Sequence, residues 1–557
     1  MILFYNTFCL MSALFFKKIK TDPFYFEKKE EEKETLFFGF VFLIFVSLLV
    51  FFLRLFQLTI IKGSYYQKLA EKNRIKEITI EPQRGKILDR KGFVLVENLA
   101  ANINQEKNRL VSKRLYHEGE TLAHLVGYQS LADSDDLKTD TCLNKIKIGD
   151  KVGKKGVEAL FDCQLRGKKG KKLIEVDASG KFLKTVAIIP PENGKDLKLA
   201  LDFYLQKKAY DLIKEKKGAV VGLLPKTGEV IVFVSSPSFD PQVFENEEKK
   251  VIERLLTDEK KPLFNRASEG EYPPGSVFKL VVAAAALEEK IINEKTQIED
   301  KGILQLGPLT FGNWYYLQYG KTEGMVDVVK AIARSNDIFF YQVGGKLGET
   351  KIKKWAEIFG LGKKTGIGIE EKEGLVPFSF WKEDKLKEKW YLGDTYNLSI
   401  GQGYLLTTPL QIAVLTSVFA NNGYLCQPQL LKLSKVETRQ GKSFLNCQKL
   451  PLSQKTLDLV KEGMKKACSP GGTGWPLFNF KVNVLGTKTQ EIKTACKTGT
   501  AESQSKESLP HAWITVFAPF ENPEIVLTVF LENAGQGSDV AGPIAKEILK
   551  SYFERKE

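Results

Sequence analysis

Histidine is almost missing from this chain, with three in 557 residues at positions 117, 124 and 511. So few imidazoles argue against a histidine-ligated metal centre, and they leave a serine nucleophile little choice of histidine base. The seven cysteines include no C-x-x-C, and their odd number and wide spacing do not describe a disulfide framework. Pairings among Cys426, Cys447 and Cys468 stay open at this level. No zinc-finger spacing, recognition-helix pattern or aromatic-basic RNA signature accompanies the net charge of +15, so no nucleic-acid partner is expected. The excess lysine reads as a solvated surface, one that also suits anionic lipid or an acidic polymer. Hydrophobic residues at 43% and charged residues at 27% argue against wholesale disorder, and the length allows two or three domains. No internal repeat is visible.

Long uncharged runs are equally scarce. The one able to cross a bilayer covers residues 36–53, about 27 Å of helix against a hydrocarbon core of about 30 Å. A transmembrane helix is therefore expected over residues 35–61, after an N-terminal tail at 1–34. Within that tail, residues 2–16 are apolar but too short to span, and 17–34 form a Lys/Glu run. Lysines flank the span on both sides, so charge does not set its orientation. With one span, everything after it lies on one side of the membrane.

Beyond the membrane, two domains are expected, at residues 62–195 and 196–557. In the first, RGKILDRKG at 84–92 reads as strand, turn, strand. The second opens with a helix at 201–213 and a hairpin of alternating strands over 218–241. A mostly helical region follows to about residue 420. IKTACKTGTAES, HAWITVFAPF and EIVLTVFLEN then read as three strands in antiparallel sequence, and residues 542–556 close as an amphipathic helix. Strands from both ends of a domain with helices between them imply an α+β fold, one antiparallel sheet covered by helices.

The chemistry concentrates in EYPPGSVFKLVVAAAALEEK, residues 271–290. Two prolines and a glycine make a turn, and an almost wholly apolar helix is expected to start at Ser276. Ser276 and Lys279, three apart, stack on one helix face. Desolvation at the mouth of a buried helix lowers the lysine pKa and makes it a base, and the helix N-terminus faces any oxyanion that forms at the serine. Alone, S-x-x-K also describes an N-capping serine beside a snorkelling lysine; Ser503 and Lys506 repeat the spacing in polar SQSK.

Two further motifs bear on the choice. Ser335-Asn336-Asp337 joins a helix end to an aromatic helix, and Lys497-Thr498-Gly499 lies in a strand followed by another strand. Lys-Thr-Gly also occurs in a hairpin turn at 226–228 and in a helix-to-strand connection at 364–366, and Ser134-Asp135-Asp136 falls in an expected loop. Together with the membrane-proximal pattern of Leu69, Ala70, Glu71, Asn73, Arg74, Arg84, Gly85, Ile87, Asp89, Arg90 and Gly92, the three motifs in order resemble a class B penicillin-binding protein. NRAS (265–268), SIGQG (399–403) and Asp337 make the elongation-type penicillin-binding protein 2 the best likeness. The likeness runs from about residue 64 to the C-terminus. It departs between Asn98 and the HLVGY stretch at His124, where relatives usually insert a larger head subdomain.

The resemblance implies a small, mostly β pedestal with a reduced head at 62–195 and a transpeptidase domain with a five-stranded antiparallel sheet at 196–557. It implies a serine D,D-transpeptidase that cross-links peptidoglycan stem peptides in cell elongation, is acylated by β-lactams, and uses no cofactor and no metal. Ser276 would be the nucleophile and Lys279 its base, with Ser335 and Asp337 relaying a proton and holding the lysines. Lys497, Thr498 and Thr500 would bind the substrate carboxylate, and Gly499 would let the substrate backbone lie against the strand. The protein would sit in the bacterial cytoplasmic membrane, with its catalytic domain outside and a SEDS-type glycosyltransferase as partner. A division-type enzyme and a catalytically silent scaffold that activates a glycosyltransferase are the alternatives. A β-lactamase is disfavoured because no Glu-x-x-Leu-Asn stretch is present.

Overall fold

The computed structural model describes residues 29–104, 109–177, 179–433, 446–483, 489–503 and 508–555. The apolar segment at 2–16, Cys9 and Lys506 of the second S-x-x-K lie outside them. The chain divides into two compact units, residues 1–78 with 172–188, and residues 79–171 with 189–557.

The first unit contains the helix Lys29–Phe56, continued by a π-helical turn Gln57–Ile61. Within Glu34–Ile61, an 18-residue stretch has a mean hydropathy of 3.0, and none of that stretch is buried by protein. A helix Gly63–Arg74 follows, and Ile75–Ile80, Gly170–Val176 and Phe182–Ile189 form a three-stranded sheet.

In the second unit, residues 84–92 form the strand and turn their motif implies. Asp89 is buried, and its carboxylate accepts from the N–H groups of Lys91 and Phe93, both at 2.8 Å. The antiparallel strands Val94–Asn104 and Arg109–Tyr116 precede the helix Gly119–Val126. Ser134-Asp135-Asp136 opens a short helix, Ser134–Thr139, because Asp133 caps it; the loop expected there is corrected.

The large sheet has the strands β1 (Gly218–Leu223), β2 (Val230–Ser236), β3 (Ala495–Ala501), β4 (His511–Ala518) and β5 (Ile525–Leu531). They are antiparallel in the order β2-β1-β5-β4-β3, leaving β3 at an edge. Every residue of β1 and β2 is buried, whereas alternation was expected. Helices cover both faces, so both sets of side chains are in a core. Val221, Phe233 and Phe517 pack on one face with the helices α1 (Lys279–Glu288), α2 (Val328–Arg334), α3 (Asp337–Leu347) and α4 (Pro409–Ala420). Val220, Val232 and Ile514 pack on the other with Phe203–Ile213 and the C-terminal Gly542–Glu554.

Three disulfides join Cys142 to Cys163, Cys426 to Cys447 and Cys468 to Cys496. The expectation of no disulfide framework is corrected: each pair is distant in sequence and meets only when the sheets and helices assemble.

Candidate active site

The nucleophile segment differs in detail from the helix expected at Ser276. Residues Gly275–Phe278 form a 3₁₀ turn, and α1 begins at Lys279. Ser276 lies in this turn, three residues before Lys279, the first residue of α1. The turn is pinned from three sides. Gly275 N–H donates to the Gly401 carbonyl at 2.9 Å, Trp513 Nε1 donates to the Pro273 carbonyl at 3.1 Å, and Tyr272 N–H donates to the Thr407 carbonyl at 2.8 Å. Gly275 has φ +55°, a conformation that glycine adopts without Cβ strain.

Lys279 is fully buried. Its Nζ donates to Asp337 Oδ1 at 2.6 Å and to the Ser335 carbonyl at 2.9 Å, with Ser335 Oγ at 3.4 Å. Ser335 sits at the C-terminus of α2 with φ +54°, and α3 starts at Asp337, capped by the Asn336 side chain. Lys497, from β3, is also fully buried and donates to Ser335 Oγ at 2.8 Å. Both amines therefore converge on Ser335, beside one carboxylate. Burial lowers the pKa of Lys279, and Asp337 opposes that only in part. Lys497 is held well below the usual lysine range by burial and by repulsion from Lys279.

Ser276, Ser335, Asp337, Thr498 and Thr500 all line one cleft of about 780 Å³. Lys497 and Thr498 sit behind and beside its wall, where Thr498 Oγ1 donates to Thr473 Oγ1 at 2.8 Å. At Gly499 a Cβ would stand 2.9 Å from the Pro274 carbonyl oxygen and 3.1 Å from Val277 Cγ2. The missing side chain lets β3 close against the turn carrying Ser276.

Several residues that support the site carry no motif. Asp300 is buried, and its Oδ2 accepts from Asn313 Nδ2 and Asn336 Nδ2, both at 2.8 Å. Asn313 Oδ1 in turn accepts from Asp337 N–H at 3.1 Å, and Asp337 Oδ2 accepts from Trp314 N–H at 3.0 Å. Asp300, Asn313 and Thr473 are isolated polar residues in sequence, with no spacing to flag them. The other two Lys-Thr-Gly triplets are apart from the cleft lining: 226–228 turns the β1–β2 hairpin, and 364–366 borders a separate cavity of about 340 Å³.

The comparisons agree with this geometry. Residues 218–550 match the penicillin binding protein transpeptidase domain, and residues 107–199 match the penicillin-binding protein dimerisation domain. The chain belongs to the class B penicillin-binding proteins. It is 32% identical to the peptidoglycan D,D-transpeptidase MrdA of Haemophilus influenzae, covering 91% of this chain and 90% of that protein. Penicillin-binding protein 2 of Helicobacter pylori, solved in a complex with MreC, is 28% identical, with a TM-score of 0.71 over 86% of this chain and 98% of that one. A chain from a peptidoglycan synthase complex, described as coordinating polymerization and crosslinking, is also 28% identical, with a TM-score of 0.71 over 95% and 99%. Penicillin-binding protein 2 is thus the type this chain resembles along nearly its whole length.

Proposed function

We propose that this chain is a serine-type peptidoglycan D,D-transpeptidase of cell-wall elongation, made up of a single-pass anchor, a pedestal to about residue 195 and a transpeptidase domain. The observation that carries the reading is the convergence of Lys279 and Lys497 on Ser335 and Asp337 in the cleft lined by Ser276.

Ser276 Oγ passes its proton to neutral Lys279 Nζ as it attacks the carbonyl carbon of the penultimate D-alanine. The carbonyl electron pair moves onto oxygen, where the backbone N–H groups of Ser276 and Thr500 receive it. Collapse of this intermediate breaks the C–N bond. D-Alanine departs with a proton delivered from Lys279 through Ser335, and its carboxylate is released from Lys497, Thr498 and Thr500. An amine of a neighbouring stem then attacks the ester, and Ser276 recovers its proton. A β-lactam carbonyl enters the same sequence and stops at the acyl-enzyme.

The helix Glu34–Ile61 supports membrane anchoring, and three disulfides fit a domain outside the reducing cytoplasm. A SEDS-type glycosyltransferase is the partner we propose. Fluorescent penicillin should label the wild-type protein and leave Ser276→Ala unlabelled; labelling that survives the change places the nucleophile elsewhere. Depletion should round rod-shaped cells, whereas filaments would assign the chain to division.

A further inference from the structure

Beyond the motif, β3 points one more side chain along the cleft. Thr498, Thr500 and Glu502 all line it, and the intervening Ala501 is buried. Side chains two apart on a strand share a face, so Thr498 and Thr500 stand about 6.6 Å apart along β3, and Glu502, just after the strand ends at Ala501, lines the same cleft. The strand is the open edge of the sheet, since β4 pairs only its other side. An extended peptide can therefore add to it, as peptides add to exposed sheet edges elsewhere.

The charges along this lining are unequal. Asp337 is paired with Lys279, and Asp539 accepts from Trp475 Nε1 at 3.2 Å and from Ser538 Oγ at 2.9 Å. Glu502 is exposed, and among the described residues it has no ion-pair partner. Lys497, whose buried amine donates to Ser335 Oγ at 2.8 Å, stands beside one end of this lining, and Glu502 offers a carboxylate four residues along the chain from Thr498.

We infer that Glu502 is a specificity-determining residue that selects donor peptides bearing a free primary amine on the residue before D-Ala-D-Ala. The inference rests on the transpeptidase reading. With the terminal carboxylate at Lys497 and Thr498, a peptide running antiparallel to β3 brings its third residue from the end toward Glu502. Cross-linking requires an amine on every acceptor stem. Donor and acceptor are copies of the same stem, so the donor presents that amine too. An ammonium there pairs with the one unmatched carboxylate of the cleft, while an acylated or shorter side chain leaves it unpaired.

The test uses the full-length protein in detergent and two synthetic donors ending in D-Ala-D-Ala. One has lysine before that dipeptide, and the other has Nε-acetyl-lysine. Wild type should acylate about twofold to fivefold faster with the free amine, the range of an exposed ion pair. In Glu502→Gln the ratio should fall to about one, and in Glu502→Lys it should invert. Reading a ratio cancels any general loss of activity in the variants. Equal rates in wild type, or a preference that persists in Glu502→Gln, overturns the inference. Fluorescent penicillin on the same wild-type sample separates the two failures: labelled protein with no amine preference defeats the role of Glu502 alone, whereas unlabelled protein defeats the transpeptidase reading.

Discussion

Two clusters of buried charge stand in the same unit of this molecule and do opposite things. Around Glu158, Arg84 donates through Nε at 2.7 Å and Arg114 through Nε at 2.8 Å, while Arg84 Nη1 lies 2.7 Å from Asp162. Asp162 also pairs with Arg166, whose Nη1 lies 3.1 Å from Asp140, so three guanidiniums meet three carboxylates and the charges balance. In the cleft, two lysines share the single carboxylate of Asp337. Burial alone would lower the pKa of Arg84, yet Glu158 and Asp162 together raise it above the ordinary value. Burial instead lowers both Lys279 and Lys497, and repulsion from Lys279 lowers Lys497 further. Arginine fixed by matched carboxylates holds its proton and serves as a strut; lysine left short of negative charge gives its proton up. The sign of one missing charge separates a scaffold from a catalyst.

The sharpest way to break this contrast is to put the scaffold's cation into the cleft. Lys279→Arg can still pair with Asp337 but cannot lose its proton, so acylation by fluorescent penicillin should fall about 10²–10⁴-fold while the protein still folds. Retained labelling would mean that Lys279 acts only as a charge. The reverse insult, Glu158→Ala, strands Arg84 and Arg114 in the interior. It should cost roughly 3–5 kcal/mol of stability, read by denaturant unfolding of the detergent-solubilised protein, and a loss below about 1 kcal/mol would make the cluster decorative.

A smaller effect tests whether burial without a countercharge behaves as the cleft does. His124 is buried with Nε2 3.3 Å from the Pro237 carbonyl, and burial pushes its pKa down to about 4 from 6.5. The unfolded chain then takes up this proton first. Stability should be intact above pH 6.5 and fall by about 3 kcal/mol as pH drops toward 4. His124→Gln should flatten that limb in the difference between the two unfolding curves, and parallel curves would refute it.

Most of the catalytic frame was legible in the sequence because its parts are local. S-x-x-K and Ser335-Asn336-Asp337 sit at helix ends and Lys-Thr-Gly within a strand, each in an element whose type the surrounding pattern declares. What escaped was whatever depends on elements meeting. Asp300 gains its role only where Asn313 and Asn336 converge on it, and Cys496 finds Cys468 only after β3 packs beside the helix Gln454–Ala467. The close approach of Gly499 to the turn carrying Ser276 was not read, since a sequence does not say which face of a strand is crowded. The 3₁₀ turn at Ser276 was missed for a related reason: its segment is held by hydrogen bonds with Gly401, Thr407 and Trp513 and not by its own residues alone.

The proton on Lys279 is the point at which the account is most exposed. The direct measurement is the second-order rate of penicillin acylation of the wild-type protein against pH, beside the same profile for Lys279→Arg. The wild-type rate should rise with pH along a limb centred below the ordinary lysine value of 10.5, and that limb should be missing from the variant. Two profiles of the same shape would contradict the assignment of Lys279 as the base.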